Sequence, residues 1–191
     1  MKQLLTFTAV VSITACGCVP SLHSFFEKED VTFEKGLLGT WKQEEDKSTW
    51  VFSQYGGNKQ KYKLVVGATE GNELKKAEFE ATLFRLNDVS YLNLRPAGDP
   101  FAGDVSSFYK VHVLPAHSLT KIERKEGVLR VSMMNPKWAK QRLRAHPREI
   151  AHTMADNRVV LTASTADLQG FVKTHANTPG AYMNPVALKK E

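Results

Sequence analysis

The chain has 191 residues, 42% hydrophobic and 24% charged, an ordinary globular composition that excludes disorder, collagen-like repeats and coiled coil. One domain with a real core is expected at this length, and a formal charge of +6 at pI 9.3 favours acidic partners without naming one. The two cysteines, Cys16 and Cys18, lie too near the start to staple a folded body or to build a cysteine metal site there.

Met1-Lys2-Gln3 opens the chain with a positive charge, and Leu4 to Ala15 follows without any. This run is shorter than the roughly 20 residues of a spanning helix and has the layout of a signal peptide, predicted over residues 1–15. Its end is more specific. Ile13-Thr14-Ala15-Cys16 resembles the bacterial lipobox: an aliphatic residue and two small ones before the cysteine that is acylated and becomes the mature N-terminus. The small residues let an extended backbone enter a peptidase up to the cut. The resemblance implies lipid attachment at Cys16 and a membrane-anchored lipoprotein of the cell envelope. Several acyl chains anchor stably where a single one holds only marginally. Gly17 follows the cysteine in place of an inner-membrane retention aspartate, which favours the outer membrane, facing the periplasm. The simpler alternative is an ordinary signal peptide with an incidental cysteine.

Residues 16–35 read as a lipidated tether, with Phe25, Phe26 and Phe33 available to dock onto the body. Short segments of period-2 alternation then predict strands. These are Ser48–Gln54, Lys61–Val66, Ala77–Leu86, Val89–Arg95, Ser106–Leu114, Ser118–Arg124 and Val128–Met134. Asn87-Asp88 and Glu126-Gly127 read as two-residue hairpin turns, so the strands form an antiparallel meander. Asn135-Pro136 is an N-cap followed by proline at the first helical position, predicting a helix to about Ala145. A strand over Arg158–Ala163 follows the turn at Asp156-Asn157. A last helix, capped by Ser164 or Thr165, buries Leu168, Phe171 and Val172 and is broken at Thr178-Pro179-Gly180. The expected class is α+β, mainly β, with one barrel-like domain over 36–178 and a flexible tail over 179–191.

Gly39-Thr40-Trp41, at the head of this meander, resembles the Gly-x-Trp signature of lipocalin-like barrels. In that family the tryptophan closes the barrel floor beneath a basic residue from a late strand, a cation–π contact over a buried indole. The resemblance implies structural roles for Gly39 and Trp41, with Arg158 as the basic partner. Two departures stand out: the helix at Pro136 precedes the last strand, and no disulfide braces the body. An eight-stranded barrel either holds a small ligand or is filled by its own side chains.

Catalytic and metal motifs are absent from the sequence. The six histidines form no H-E-x-x-H spacing, although His112 and His117 flank Pro115 and could face one another. No Gly-x-Ser-x-Gly elbow occurs, and Gly56-Gly57-Asn58 lacks the lysine of a phosphate loop. Glu78 and Glu80 alternate with apolar residues as a solvated strand face does. No catalytic residue, metal or cofactor is therefore expected. A hydrolase would need a His–carboxylate–hydroxyl cluster in a cleft, which spacing does not reveal.

Two features carry a functional reading. Lys137, Lys140 and Arg144 share one helix face, suited to an anionic envelope component, or simply to solvent. Arg85 and Arg130 sit within otherwise apolar strand faces and are candidate contacts for an anionic ligand, or else strand-end arginines that reach water. The expected function is binding of a small apolar or amphipathic molecule inside the barrel. The alternative is an accessory envelope lipoprotein with a filled core that binds a protein or an anionic polymer. Nucleic acid is not an expected partner.

Overall fold

A computed structural model describes residues 18–45, 47–70, 73–98, 106–110 and 112–191. The signal segment and Cys16 lie outside them.

Eight antiparallel strands close into a barrel. They are β1 (Gly39–Lys42), β2 (Thr49–Tyr55), β3 (Asn58–Glu70), β4 (Glu73–Leu86), β5 (Val89–Pro96), β6 (Ser118–Lys125), β7 (Val128–Met133) and β10 (Val186–Lys190). Two-residue turns with positive φ at Asn87, Glu126 and Gly127 join β4 to β5 and β6 to β7, where the sequence predicted them. Gly56 and Gly57 make the equivalent turn between β2 and β3.

Directly opposed residues of an antiparallel pair share a face, so the register identifies the interior. Phe52 faces Leu64, Tyr62 faces Ala81, Leu83 faces Leu92 and Leu129 faces Leu188. These side chains, with Trp41, Trp50 and Ile122, form one buried apolar cluster. The opposite face is buried too where β4 meets β5. There Phe84 stacks on Tyr91, and both belong to a second cluster shared with the helical layer.

That layer is the excursion between β7 and β10. The chain leaves the barrel at Met134 and returns at Tyr182, which bridges back to Met134. Between them lie α2 (Pro136–Ala145), the hairpin β8 (His152–Ala155) and β9 (Arg158–Leu161), and α3 (Thr165–His175). The Asn135 side chain accepts from the backbone N–H groups of Lys137 and Trp138, and Ser164 accepts from that of Asp167, as capping residues do. Leu143, Leu168, Phe171 and Val172 join Phe84, Leu86 and Tyr91 of the barrel wall in one buried cluster.

Three boundaries differ from the sequence reading. Ser106–Leu114 is not a strand; its described part holds the short helix α1 (Ser107–Lys110). Tyr109, Val113 and Leu114 are exposed there, so the alternation has no core to face. Arg158–Ala163 does not join the barrel: its strand, β9, pairs with β8 in a separate two-stranded sheet. The vacated barrel places belong to β1, which contains Trp41, and to β10, in the segment expected to be a flexible tail. β10 is held by hydrogen-bonded ladders on both sides, to β1 and β7, and Leu188 is fully buried.

Residues 18–35 are likewise not a free tether. Ser21 bridges to His117 and Leu161, and Phe25 is fully buried with its N–H donating to Asn93 Oδ1 at 3.3 Å. Val31 bridges to Phe84, and Phe33 stacks on Tyr62 with ring centroids 4.7 Å apart. The segment is a strap that docks through its aromatic residues, as Phe25, Phe26 and Phe33 suggested.

Leu188→Ala is therefore expected to destabilise the protein by about 2–5 kcal/mol, the usual range for truncating a buried leucine. Chemical denaturation measures this; an unchanged midpoint would mean that the terminal strand does not close the barrel.

Candidate functional site

The closed end of the barrel is built by residues 34–41. A short 3-10 turn at Lys35–Leu37 brings the Leu37 carbonyl to accept from Trp41 Nε1 at 2.8 Å, satisfying the buried indole. Lys190 Nζ lies 5.2 Å from the Trp41 ring centroid and donates to the Gly36 carbonyl at 2.9 Å. Gly39 has φ +115°, and a Cβ there would sit 3.3 Å from Lys190 Cε. The backbone angle therefore favours glycine at this position, and the lysine stem leaves a side chain little room. Arg124 lies over Gly36, 2.8 Å from where a Cβ would stand, and pairs with Glu34 Oε2 at 3.3 Å. Tyr62 donates to the Glu34 carbonyl and accepts from the Glu34 N–H, and burial pushes its phenol up to about 12.

The basic partner of Trp41 is thus Lys190 of β10. Arg158 is exposed on β9, in the separate hairpin, because its strand never enters the barrel. The other two arginines singled out by sequence do not line an interior site. Arg85 is 57% exposed at the barrel end, 3.6 Å from Glu34, and Arg130 is exposed on β7 opposite Glu123. Glu78 and Glu80 pair with Lys63 and Lys61 along the outside of β3 and β4, the solvated face expected.

A cavity of about 490 Å³ opens in the helical layer, lined by residues 148–151 and by α3 from Ala166 to His175. At its wall Glu149 receives both Nε (2.7 Å) and one terminal nitrogen (2.9 Å) of Arg142, and its Oε1 lies 2.9 Å from His175 Nε2. His175 Nδ1 in turn lies 3.1 Å from Thr178 Oγ1. With the imidazole proton on Nε2, the hydroxyl donates to Nδ1, which makes a hydroxyl–imidazole–carboxylate line. Thr178 is not part of the cavity lining, however, and the Arg142 fork occupies both carboxylate oxygens. Trp138 and Phe171 meet the His175 ring edge-on, at 4.9 and 4.7 Å. The arrangement pins α2, the Glu149 loop and α3 together. No spacing in the sequence signals it, because Glu149 and His175 are joined only by the packing of α3 on α2.

His117 is bound to Asn93 Nδ2 at 3.0 Å through Nδ1, and burial holds its pKa below the usual histidine value, helped by nearby Arg95. Among the described residues no group of three or more His, Cys, Asp or Glu is placed to hold a metal ion. Lys137 and Arg144 are exposed on α2, and Lys140 donates to Asn157 Oδ1 of the β8–β9 turn. Arg142, between them in sequence, turns away to Glu149.

Comparison with known protein families, with curated proteins and with solved structures finds no match.

Hydrogen bonding from Arg142, and secondarily from His175, holds the Glu149 carboxyl below the ordinary glutamate value of 4.5. A carboxyl lowered by folding stabilises the native state above that value and loses its contribution as pH falls through the folded pKa. Glu149→Gln is expected to lower the melting temperature at neutral pH and to flatten the acid decline below about pH 4.5, so that mutant and wild type converge. Parallel melting curves across that range would show that the carboxylate is not what holds the helices.

Proposed function

We propose that this protein is a lipid-anchored lipoprotein of the bacterial envelope, attached through Cys16, whose barrel is a packed scaffold acting through its outer surface. The observation that carries this reading is the contiguous apolar interior. Aromatic and aliphatic side chains from every barrel strand meet in one buried cluster, and the strap at Phe33 and Leu37 packs against it at one end. A barrel of eight strands is just wide enough for side chains to fill. The competing reading is carriage of a small apolar or amphipathic molecule inside it.

The anchor rests on Ile13-Thr14-Ala15-Cys16 and the apolar run before it; Gly17 favours the outer membrane, facing the periplasm. Among the described residues no helix is long and apolar enough to cross a membrane. The eight-stranded closure and the Trp41–Lys190 contact after Gly39 support a lipocalin-like kinship. Two outer surfaces offer contacts to a protein or an anionic polymer of the envelope. One is the basic face of α2. The other is the exposed apolar group Val113 and Leu114, with Leu22 beside the Ser21–His117 bridge.

Cys16→Ser is expected to release the protein from the membrane fraction on cell fractionation; full retention would overturn the anchor. Native mass spectrometry of the wild-type protein is expected to show no small-molecule adduct beyond its acyl chains. A reproducible adduct that leaves on denaturation would return the reading to a carrier.

A further inference from the structure

The geometry points to a second membrane contact beside the anchor: a face formed by Lys137 and Lys140 of α2 and Arg158 of β9 that binds the anionic headgroups of phospholipids. It rests on the acylation of Cys16 proposed above and names the surface that then meets the leaflet.

Cys18 and Val19 line one depression, about 180 Å³, together with Lys137, Lys140, Asn157 and Arg158. The chain is fixed there. Val19 is buried in the outer cluster, and Cys18 Sγ lies 3.4 Å from Met133 Sδ. Cys18 is two positions after Cys16, and a chain spans at most ~7 Å over two residues whatever its path. An acyl group on Cys16 therefore places the headgroup layer close to this depression, on the scale of the Debye length, roughly 8–10 Å. Charge on this face therefore acts on the leaflet within screening range, and added salt weakens it.

The basic groups come from two elements that act as one surface. Lys140 donates to Asn157 Oδ1, joining α2 to the β8–β9 turn, and Arg158 follows that turn directly. Lys137 and Arg158 are exposed, and Arg144 extends the face one turn further along α2. Asp156, in the same turn, offsets one of these charges. Phospholipid is favoured over a protein partner here because the depression lies next to the anchored segment, while the exposed Val113 and Leu114 adjoin the Ser21–His117 bridge instead. Each basic residue near an anionic surface strengthens the contact about five-fold, so the three together are worth on the order of a hundred-fold.

The test is hydrogen–deuterium exchange on the full-length protein, purified with its own N-terminus and reconstituted into phosphatidylethanolamine vesicles with or without phosphatidylglycerol. Amides of residues 137–145 and 152–158 are expected to exchange more slowly only when phosphatidylglycerol is present. High salt should relieve that protection, and the combined variant Lys137→Gln, Lys140→Gln, Arg158→Gln should lack it. Flotation with both vesicle types but equal exchange in both would overturn the headgroup contact and leave the anchor standing. Failure to float, with an intact mass that lacks acyl chains, would overturn both. Should the triple variant not fold, the lipid and salt dependence of the wild-type protein decides the matter alone.

Discussion

The barrel depends on a strand that arrives last. Strands β1 to β7 form a continuous antiparallel sheet whose two edges, β1 and β7, would each expose a row of unpaired backbone groups. Val186–Lys190 pairs with both edges at once and abolishes them. The same strand delivers Leu188 to the interior and Lys190 to the ring of Trp41, so closure and the sealing of the barrel end are one event. Gly39 permits it, because any side chain there would meet the Lys190 stem in a backbone conformation that L-residues avoid.

The helical layer follows from how that strand is reached. The chain leaves β7 at Met134 and returns at Tyr182, its neighbour across the ladder, so the excursion between them costs the sheet nothing in register. Its two helices then cover a wall whose outer face is apolar where β4 and β5 meet. The N-terminal strap completes the cover. Gln169 of α3 donates to Asp30 Oδ2 at 2.6 Å and to the Phe25 carbonyl at 3.4 Å, binding the strap to the helices. Both faces of the central strands are thus buried, one by the barrel itself and one by segments from opposite ends of the chain.

This arrangement separates scaffold from surface. The interior is lined by one apolar cluster of side chains from all eight barrel strands, and the Arg142–Glu149–His175 cluster spends its polar atoms on holding two helices and a loop together. Among the groups facing outward are the basic side chains of α2 and β9 and a small apolar exposure near Val113 and Leu114. The strap runs directly to the first of these surfaces. Cys18 sits in the depression that Lys137, Lys140 and Arg158 share.

Local chemistry determined much of this. Period-2 alternation and the turns at Asn87-Asp88 and Glu126-Gly127 specified the hairpins, and Asn135-Pro136 and Ser164 specified the helix starts, because each acts on its immediate neighbours. The count of eight strands was also legible, though not their membership. Alternation in Ser106–Leu114 and Arg158–Ala163 is the same signal that true barrel strands give, and only a partner decides whether it is used. β1 and β10 are short, and nothing local marks a four- or five-residue segment as a barrel strand until both neighbours are present. The choice of Lys190 over Arg158 above Trp41, and the meeting of Glu149 with His175, were likewise left to tertiary structure. Contacts between residues far apart in sequence depend on which elements pack together, and that is decided by closure of the whole sheet rather than by any stretch of chain.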